Sequence, residues 1–218
     1  MKTLSREQAR RVYDRIGSFQ DAQAFYEDRA VQEMTEHSEF GKAERVFEFG
    51  CGTGRYAQRL LLDHLPEQAL YLGVDISPTM IQLAHQRLAS FAPRGRVELS
   101  DGSFPGSDSN EISDRFVSNY VLDLLSVSDI HGVLQAAHAR LRPGGLLCLT
   151  SLSFAPNRSS RIILAAWSLL RAVHPVLVGG CRPLSLLDYI SEPLWEVRPT
   201  ARVVQYGVPS QVVIAARA

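Results

Sequence analysis

Three closely spaced glycines follow a short apolar run near residue 50. The run Val46–Phe49 leads directly into Gly50-Cys-Gly-Thr-Gly54, which has the pattern G-x-G-x-G, and it contains one acid, Glu48. Glycines placed just after a strand let the backbone turn tightly and approach a ligand without a Cβ in the way. A helix that starts there presents unpaired N–H groups to the same place. The segment therefore predicts a small-molecule binding loop.

A second acid, Asp75, ends the next apolar run, 21 positions after Gly54. An acid at the end of the second strand can hold the two hydroxyls of a ribose. The glycine spacing is not the G-x-G-x-x-G of most NAD enzymes, and no lysine follows the glycines as it does in a phosphate-gripping loop. Glu48 would also repel a pyrophosphate. The pattern favours a nucleoside ligand without phosphate over a loop that serves core packing alone.

The rest of the chain alternates short apolar runs with segments of helical periodicity. Such alternation indicates βαβ units and a parallel sheet with helices on both faces, and the two runs near the C-terminus indicate an antiparallel closing hairpin. We predict an α/β doubly wound sheet preceded by amphipathic helices between Ser5 and about His37. The predicted strands are 45–49, 69–75, 96–100, 115–119, 146–151, 202–206 and 211–216, and the predicted helices are 55–64, 78–90 and 127–141.

Composition limits the function classes. Lys+Arg and Asp+Glu both number 23 among 218 residues, and this balance lacks the basic excess that supplies phosphate affinity, so nucleic acid is not expected as a partner. Three distant cysteines do not suggest a disulfide framework, and we expect a cytoplasmic protein. The N-terminus lacks the apolar run of a signal peptide, and the longest apolar stretch, Ile162–Val178, is interrupted and short for a transmembrane segment.

Several segments together resemble the successive motifs of class I S-adenosylmethionine-dependent methyltransferases. They are VFEFGCGTG, YLGVDISPTMIQLA, VELSDGSF, RFVSNYVLDLL and LRPGGLLCLTS. The resemblance covers about Glu44 to Ser151 and is to the broad group that includes the ubiquinone/menaquinone-biosynthesis methyltransferases. It implies a single domain with a Rossmann-like seven-stranded sheet: an N-terminal helical cap (1–40), a donor-binding core (41–151), a helical insertion after strand 5 (152–193) and closing strands (194–218).

The resemblance also implies roles for particular residues, with S-adenosylmethionine as the cofactor. Gly50, Cys51 and Gly52 would hold its methionine portion through backbone atoms, close to Glu48 and Gly54. Asp75 would take the ribose hydroxyls. The remaining positions are Ile76, Asp101, Gly102 and Ser103 around the adenine, Asn119 and Tyr120 beside the methionine amino group, and Tyr13 and Tyr26 closing over the donor from the N-terminal segment.

The acceptor side is less defined by sequence. After the fourth strand the chain reads Ser118-Asn-Tyr-Val-Leu-Asp123, without the two prolines typical of enzymes that methylate DNA adenine or protein glutamine. Tyr120 and Asp123 are candidate catalytic residues, and Asp123 could equally be a charge at a helix N-terminus. His37 and His174 are further candidate bases. No metal site is expected, because the histidines show no ligand pairing at zinc spacing.

The insertion contains an apolar segment, Arg161–Val178, with Trp167 in its middle. It is a helix packed on the core, a lid whose apolar face receives a hydrophobic acceptor or touches a membrane surface, or both at once. We therefore expect methyl transfer to a small, lipophilic acceptor. The alternatives are a non-catalytic S-adenosylmethionine-binding module and a NAD-dependent oxidoreductase.

Overall fold

The sheet is the part of the molecule that positions the candidate binding residues. The computed structural model describes residues 6–17, 20–21, 24–101, 111–154, 181–190, 193–198 and 200–218. Its strands are β1 (Arg45–Phe49), β2 (Leu70–Asp75), β3 (Gly95–Leu99), β4 (Ser113–Asn119), β5 (Leu141–Leu152), β6 (Trp195–Val197), β7 (Ala201–Gln205) and β8 (Val208–Arg217). Its α-helices are α1 (Arg6–Ile16), α2 (Ala24–His37), α3 (Arg55–Arg59), α4 (Pro78–Leu88) and α5 (Val127–Arg140).

The strand order is β3-β2-β1-β4-β5-β8-β6, with β7 also paired to β8. Strands β1 to β5 are parallel, and β8 runs antiparallel to β5. The last position is shared, since β7 pairs with the first half of β8 and β6 with its end. The predicted seven-stranded doubly wound sheet is confirmed, with eight strands in seven positions.

Neighbouring residues on a strand point to opposite faces, and both faces are covered. Val46, on β1, packs in a core with α2, α3 and α4, while the next residue, Phe47, packs in a second core with α5. The chain runs outward from β1 to β3 and then returns to β4 on the other side of β1. Such a reversal opens a crevice at the carboxyl ends of the two central strands.

The fifth strand begins earlier than the sequence pattern predicts. We expected Arg142-Pro-Gly-Gly145 to form a loop before a strand at Leu146, whereas β5 starts at Leu141, and its pairing with β4 shifts register within this segment. Gly144 has φ 73°, and a Cβ at Gly145 would lie 2.9 Å from the carbonyl oxygen of Arg142. The glycines therefore let the extra residues bulge while the strand continues.

Candidate functional site

The glycine loop after β1 lies at the centre of the crevice formed at the carboxyl ends of the central strands, which is called the cleft from here on. Gly50, Gly52 and Gly54 all have positive φ, at 80°, 52° and 74°. A Cβ at Gly50 would lie 2.3 Å from the Val121 side chain, and one at Gly54 would lie 3.0 Å from the Ala84 Cβ. A Cβ at Gly52 would meet no atom within 4 Å. Gly50 and Gly54 therefore serve the packing of the protein, while Gly52 faces open space in the cleft.

The first three N–H groups of this loop already have acceptors. The Gly50 and Cys51 N–H groups donate to the Val74 carbonyl oxygen at 2.8 and 3.0 Å. The Gly52 N–H donates to Oδ2 of Asp75 at 2.9 Å. A loop that holds a phosphate needs such donors unoccupied. This loop is therefore not arranged to bind a pyrophosphate.

Two acids lie beside the loop, of which Glu48 is buried and Asp75 is partly buried. Oδ1 of Asp75 accepts the Ser77 N–H at 2.9 Å, and burial raises the Asp75 pKa. Tyr71 donates its hydroxyl to Oε2 of Glu48 at 2.5 Å. Burial raises the pKa of Glu48 to about 7, although the hydrogen bonds with Tyr71 and Asn119 oppose this change. Acids in this position favour a ligand that carries positive charge or hydroxyl groups.

Asn119 and Tyr120 come directly after β4, opposite the glycine loop. The Asn119 Oδ1 accepts the Thr150 hydroxyl at 2.8 Å, which leaves its amide nitrogen for the cleft and for Glu48. Tyr120 has φ 54°, in the left-handed region that is uncommon for a tyrosine. Its hydroxyl lies 2.7 Å from Oγ of Ser210. The turn thus places an amide and an aromatic ring in the cleft, at the carboxyl end of β4.

Three aspartates of the N-terminal segment, seven residues apart, bind the core around the cleft. Asp14 accepts the Ser77 hydroxyl at 2.6 Å, and Asp28 forms a two-point ion pair with the Arg55 guanidinium at 2.8 and 2.7 Å. Asp21 accepts the Thr53 hydroxyl at 2.6 Å and the Arg87 guanidinium at 2.7 Å. These contacts hold the N-terminal segment across the loop. Sequence analysis missed them, although the regular spacing of the three acids was a visible signal.

The cleft has an apolar part and a polar part. Both parts are lined by Gln20, Glu27, Gly50, Gly52 and Asn119. The apolar part continues over Ala9, Tyr13, Phe49, Val74, Asp75, Ile76, Met80, Ser100, Tyr120, Val121, Leu124, Leu125 and Asp129. The polar part continues over Asp21, Asp28, Val31, Glu48, Cys51, Thr53, Arg55, Tyr56 and Arg59. Arginines among the described lining residues thus occur only in the polar part.

The cleft brings together most of the residues that the sequence singled out. Those that line it are Tyr13, Glu48, Gly50, Cys51, Gly52, Asp75, Ile76, Asn119 and Tyr120. Gly54 begins α3 behind the loop, and Asp101 lies exposed beside Ile76 in a neighbouring depression. Gly102, Ser103, His174, Trp167 and the whole segment 161–178 lie outside the described residues.

Three candidates lie away from the cleft walls. Tyr26 is buried beneath them, with its ring edge-to-face to Tyr120 at 6.0 Å between centroids. Asp123 is fully buried and accepts the Leu152 N–H at 3.1 Å, and burial raises its pKa to about 7. His37 lies at the exposed end of α2, where its Nδ1 is 2.9 Å from the carbonyl oxygen of Glu33. The structure therefore gives Asp123 and His37 no direct access to a ligand in the cleft.

Glu27 was not singled out by sequence analysis. It belongs to α2, and its spacing within an amphipathic helix is that of an ordinary surface acid. In the structure it lines both parts of the cleft, and its Oε1 is buried with no hydrogen-bond partner among the described residues. Because its neighbours come from distant parts of the chain, no local pattern could have revealed this position.

The central part of the chain is similar to a known protein family. Residues 47–147 match the family model described as a methyltransferase domain. A carboxy-S-adenosyl-L-methionine synthase of Chromohalobacter salexigens is 32% identical over 122 residues, which are 56% of this chain and 44% of that protein. The chain thus spans less than half the length of this curated relative.

Solved structures share the fold at low sequence identity. The [4+2]-cyclase SpnF has a TM-score of 0.71 at 15% identity and is matched over 100% of this chain and 98% of its own. The N-methyltransferase NodS of Bradyrhizobium japonicum, in complex with S-adenosyl-L-homocysteine, has a TM-score of 0.59 at 16% identity, covering 87% of this chain and 86% of its own. At such identities the likeness concerns the fold alone.

Proposed function

We propose that this chain carries a class I S-adenosylmethionine-dependent methyltransferase domain and that the protein transfers the methyl group of S-adenosylmethionine to a small acceptor. One observation carries the proposal: the buried Glu48 and the partly buried Asp75 lie beside a glycine loop whose first N–H groups are already bonded. S-adenosylmethionine carries a sulfonium, an ammonium and two ribose hydroxyls but no phosphate. The residues present therefore fit this cofactor.

Each part of the cofactor has residues suited to hold it. Asp75 would accept the ribose hydroxyls, Ile76 would pack against the adenine, and Asp101 would accept a hydrogen bond from the adenine amino group. The backbone of Gly50 to Gly52 and the amide of Asn119 would hold the methionine portion. Gly102 and Ser103 belong to the same proposed adenine site by the family pattern.

The protein's own contribution is alignment and exclusion of water. When bound, the cofactor supplies an activated methyl group on a sulfonium. Holding it and the acceptor in the right orientation therefore removes much of the activation barrier to methyl transfer. Asp14, Asp21 and Asp28 hold the N-terminal segment over the loop. A cover of this kind removes water from the site and strengthens the electrostatic interactions inside it.

The acceptor is a small, lipophilic molecule. Support comes from the apolar part of the cleft, whose walls include Tyr13, Val121, Leu124 and Leu125. We further propose that the insertion around Trp167 covers this part. Trp167→Ala should then raise the acceptor KM more than it changes donor affinity, as titrations of both substrates would measure. An equal effect on both substrates would contradict a lid that contacts the acceptor.

The first test is donor binding followed by turnover. Calorimetry should detect S-adenosylhomocysteine binding and no comparable binding of NADH, which would exclude an oxidoreductase. Mass spectrometry of reactions with a panel of lipophilic hydroxyl and amine compounds should then show a mass gain of one methylene. Donor binding without turnover on any acceptor would leave a non-catalytic binding module.

A second candidate function comes from the curated relative, whose name states that it makes a carboxylated S-adenosylmethionine. A carboxylate added to the cofactor would need a cation beside it. The described residues of the apolar part include three acids, Glu27, Asp75 and Asp129, and neither lysine nor arginine. The same mass spectrometry, applied to the cofactor instead of the acceptor, distinguishes this reaction from methyl transfer.

A further inference from the structure

Glu27 lies where the two parts of the cleft meet. It is the only ionisable residue among the described residues that line both parts, and it comes from α2 in the N-terminal segment. Its Oε1 is buried and has no hydrogen-bond partner among those residues. A buried acceptor atom without a partner costs free energy, so its position in the wall of the cleft points to a ligand that supplies the partner.

The other acids that line the apolar part are already engaged. Asp75 accepts the N–H groups of Gly52 and Ser77. Asp129 accepts the hydroxyl of Ser126 at 2.6 Å at the start of α5. Among the acids of the apolar part, Glu27 is therefore the one with a buried carboxylate oxygen that accepts no hydrogen bond from the described residues.

The surroundings of Glu27 raise the pKa of its carboxyl group to near neutral pH. Burial raises its pKa to about 7, a hydrogen bond between its carboxyl group and Tyr26 opposes this increase, the nearby charges of Asp123 and Asp28 add to it, and Arg55 opposes it. The other ionisable groups that interact with it are Tyr13, Tyr120 and Cys181, and burial raises the pKa of each of these three. A general acid or base works best when its pKa is near the working pH.

We propose that Glu27 is the catalytic residue that recognises the acceptor, accepting a hydrogen bond and then the proton from its hydroxyl or amine group. This inference rests on the proposed methyl transfer and deepens it. The lone pair of the acceptor oxygen or nitrogen forms the new bond to the methyl carbon. The electron pair of the broken carbon–sulfur bond stays on sulfur, and the acceptor proton passes to Glu27. The acceptor class is therefore a neutral, lipophilic alcohol, phenol or amine, and a carboxylate is disfavoured.

Glu27→Gln tests the role, with Glu33→Gln as the matched control. Glu33 is on the same helix, 38% exposed at its side chain and outside the described cleft lining. The Glu27 variant should bind S-adenosylhomocysteine within about twofold of the parent protein, because the proposed donor contacts are made by other residues. Loss of donor affinity by about tenfold or more would overturn the proposal and place Glu27 in the donor site.

Two readouts address the acceptor directly. Difference infrared spectra of the parent protein against Glu27→Gln should show one carboxyl group titrating near pH 7, whether or not an acceptor is known. The protein saturated with S-adenosylhomocysteine should bind 4-butylphenol at least about tenfold more tightly than 4-butylbenzoate, and the variant should lose most of this preference. A Glu27 carboxyl that titrates near its ordinary value, or an unchanged preference, would refute the role.

Turnover completes the test once an acceptor is found. The kcat/KM of the parent protein should rise with pH to a plateau above about 7, while Glu27→Gln should lose about 10²-fold or more and the rise itself. Glu27→Asp should keep part of the rate, and Glu33→Gln should match the parent. Failure of the proposed function is distinguishable, because the parent protein would then either not bind S-adenosylhomocysteine or bind it without methylating any acceptor, whereas failure of this inference leaves methyl transfer intact in Glu27→Gln.

Discussion

Asp75 offers the sharpest test of the donor site, because both of its carboxylate oxygens are engaged. Oδ2 accepts the Gly52 N–H and Oδ1 accepts the Ser77 N–H, each at 2.9 Å. Hydrogen bonds to a charged group contribute about 1.5–3 kcal/mol each. Asp75→Ala removes the acceptor that fixes the glycine loop, as well as the proposed acceptor of the ribose hydroxyls.

We expect Asp75→Ala to weaken S-adenosylhomocysteine binding by about 2 kcal/mol or more, which corresponds to roughly 30-fold in Kd. Asp75→Asn should not rescue it. An amide has one acceptor oxygen, so its NH₂ group would face one of the two backbone N–H donors. Calorimetry of both variants measures the loss, and Asp63→Ala, at an exposed position outside the described cleft lining, is the control. Unchanged affinity in a folded Asp75 variant would refute the assignment.

Two further predictions concern the glycine loop and Glu48. Gly52→Val should abolish S-adenosylhomocysteine binding in calorimetry because it fills the cleft and opposes a φ of 52°. Gly54→Ala should instead lower the free energy of unfolding in urea, because its Cβ would crowd α4. If the two variants affected binding and stability equally, the assignment of Gly52 to the ligand and of Gly54 to packing would be contradicted. The raised pKa of Glu48, about 7 against an ordinary 4.5, means that the folded state holds a proton that the unfolded state loses between these values, so stability decreases as pH rises from 4.5 to 7. In Glu48→Gln, the fall in the free energy of unfolding between pH 5 and pH 8, measured with urea, should be smaller than in the parent protein by up to about 3 kcal/mol. An identical pH dependence in the variant would contradict a protonated Glu48.

Among the described residues, none of the helices combines the length and the apolar character needed to cross a bilayer. The apolar segment 161–178 lies outside those residues. The lid and membrane-contact interpretations of that segment therefore stay predictions.

The sequence by itself determined the central sheet and the loop that follows it. A run of apolar residues, then three glycines, then a helical pattern is a local signal, because the strand, the turn and the helix start are each set by neighbouring residues. Asp75 could be predicted in the same way from its place at the end of a strand. For that reason the carboxyl ends of β1 and β2, at Phe49 and Asp75, are those that the pattern predicts.

Tertiary structure decided what surrounds that loop. Asp14 meets Ser77 across 63 positions, and Asp21 meets Arg87 across 66, so neither contact has a local signature. The same holds for Glu27, which has the pattern of a surface acid and becomes a cleft residue only because α2 packs against β5, β7 and β8 with its first turn at the cleft. The early start of β5 depends likewise on its pairing with β4. Periodicity identifies which residues form an element, whereas burial and charge in the cleft depend on which distant elements pack together.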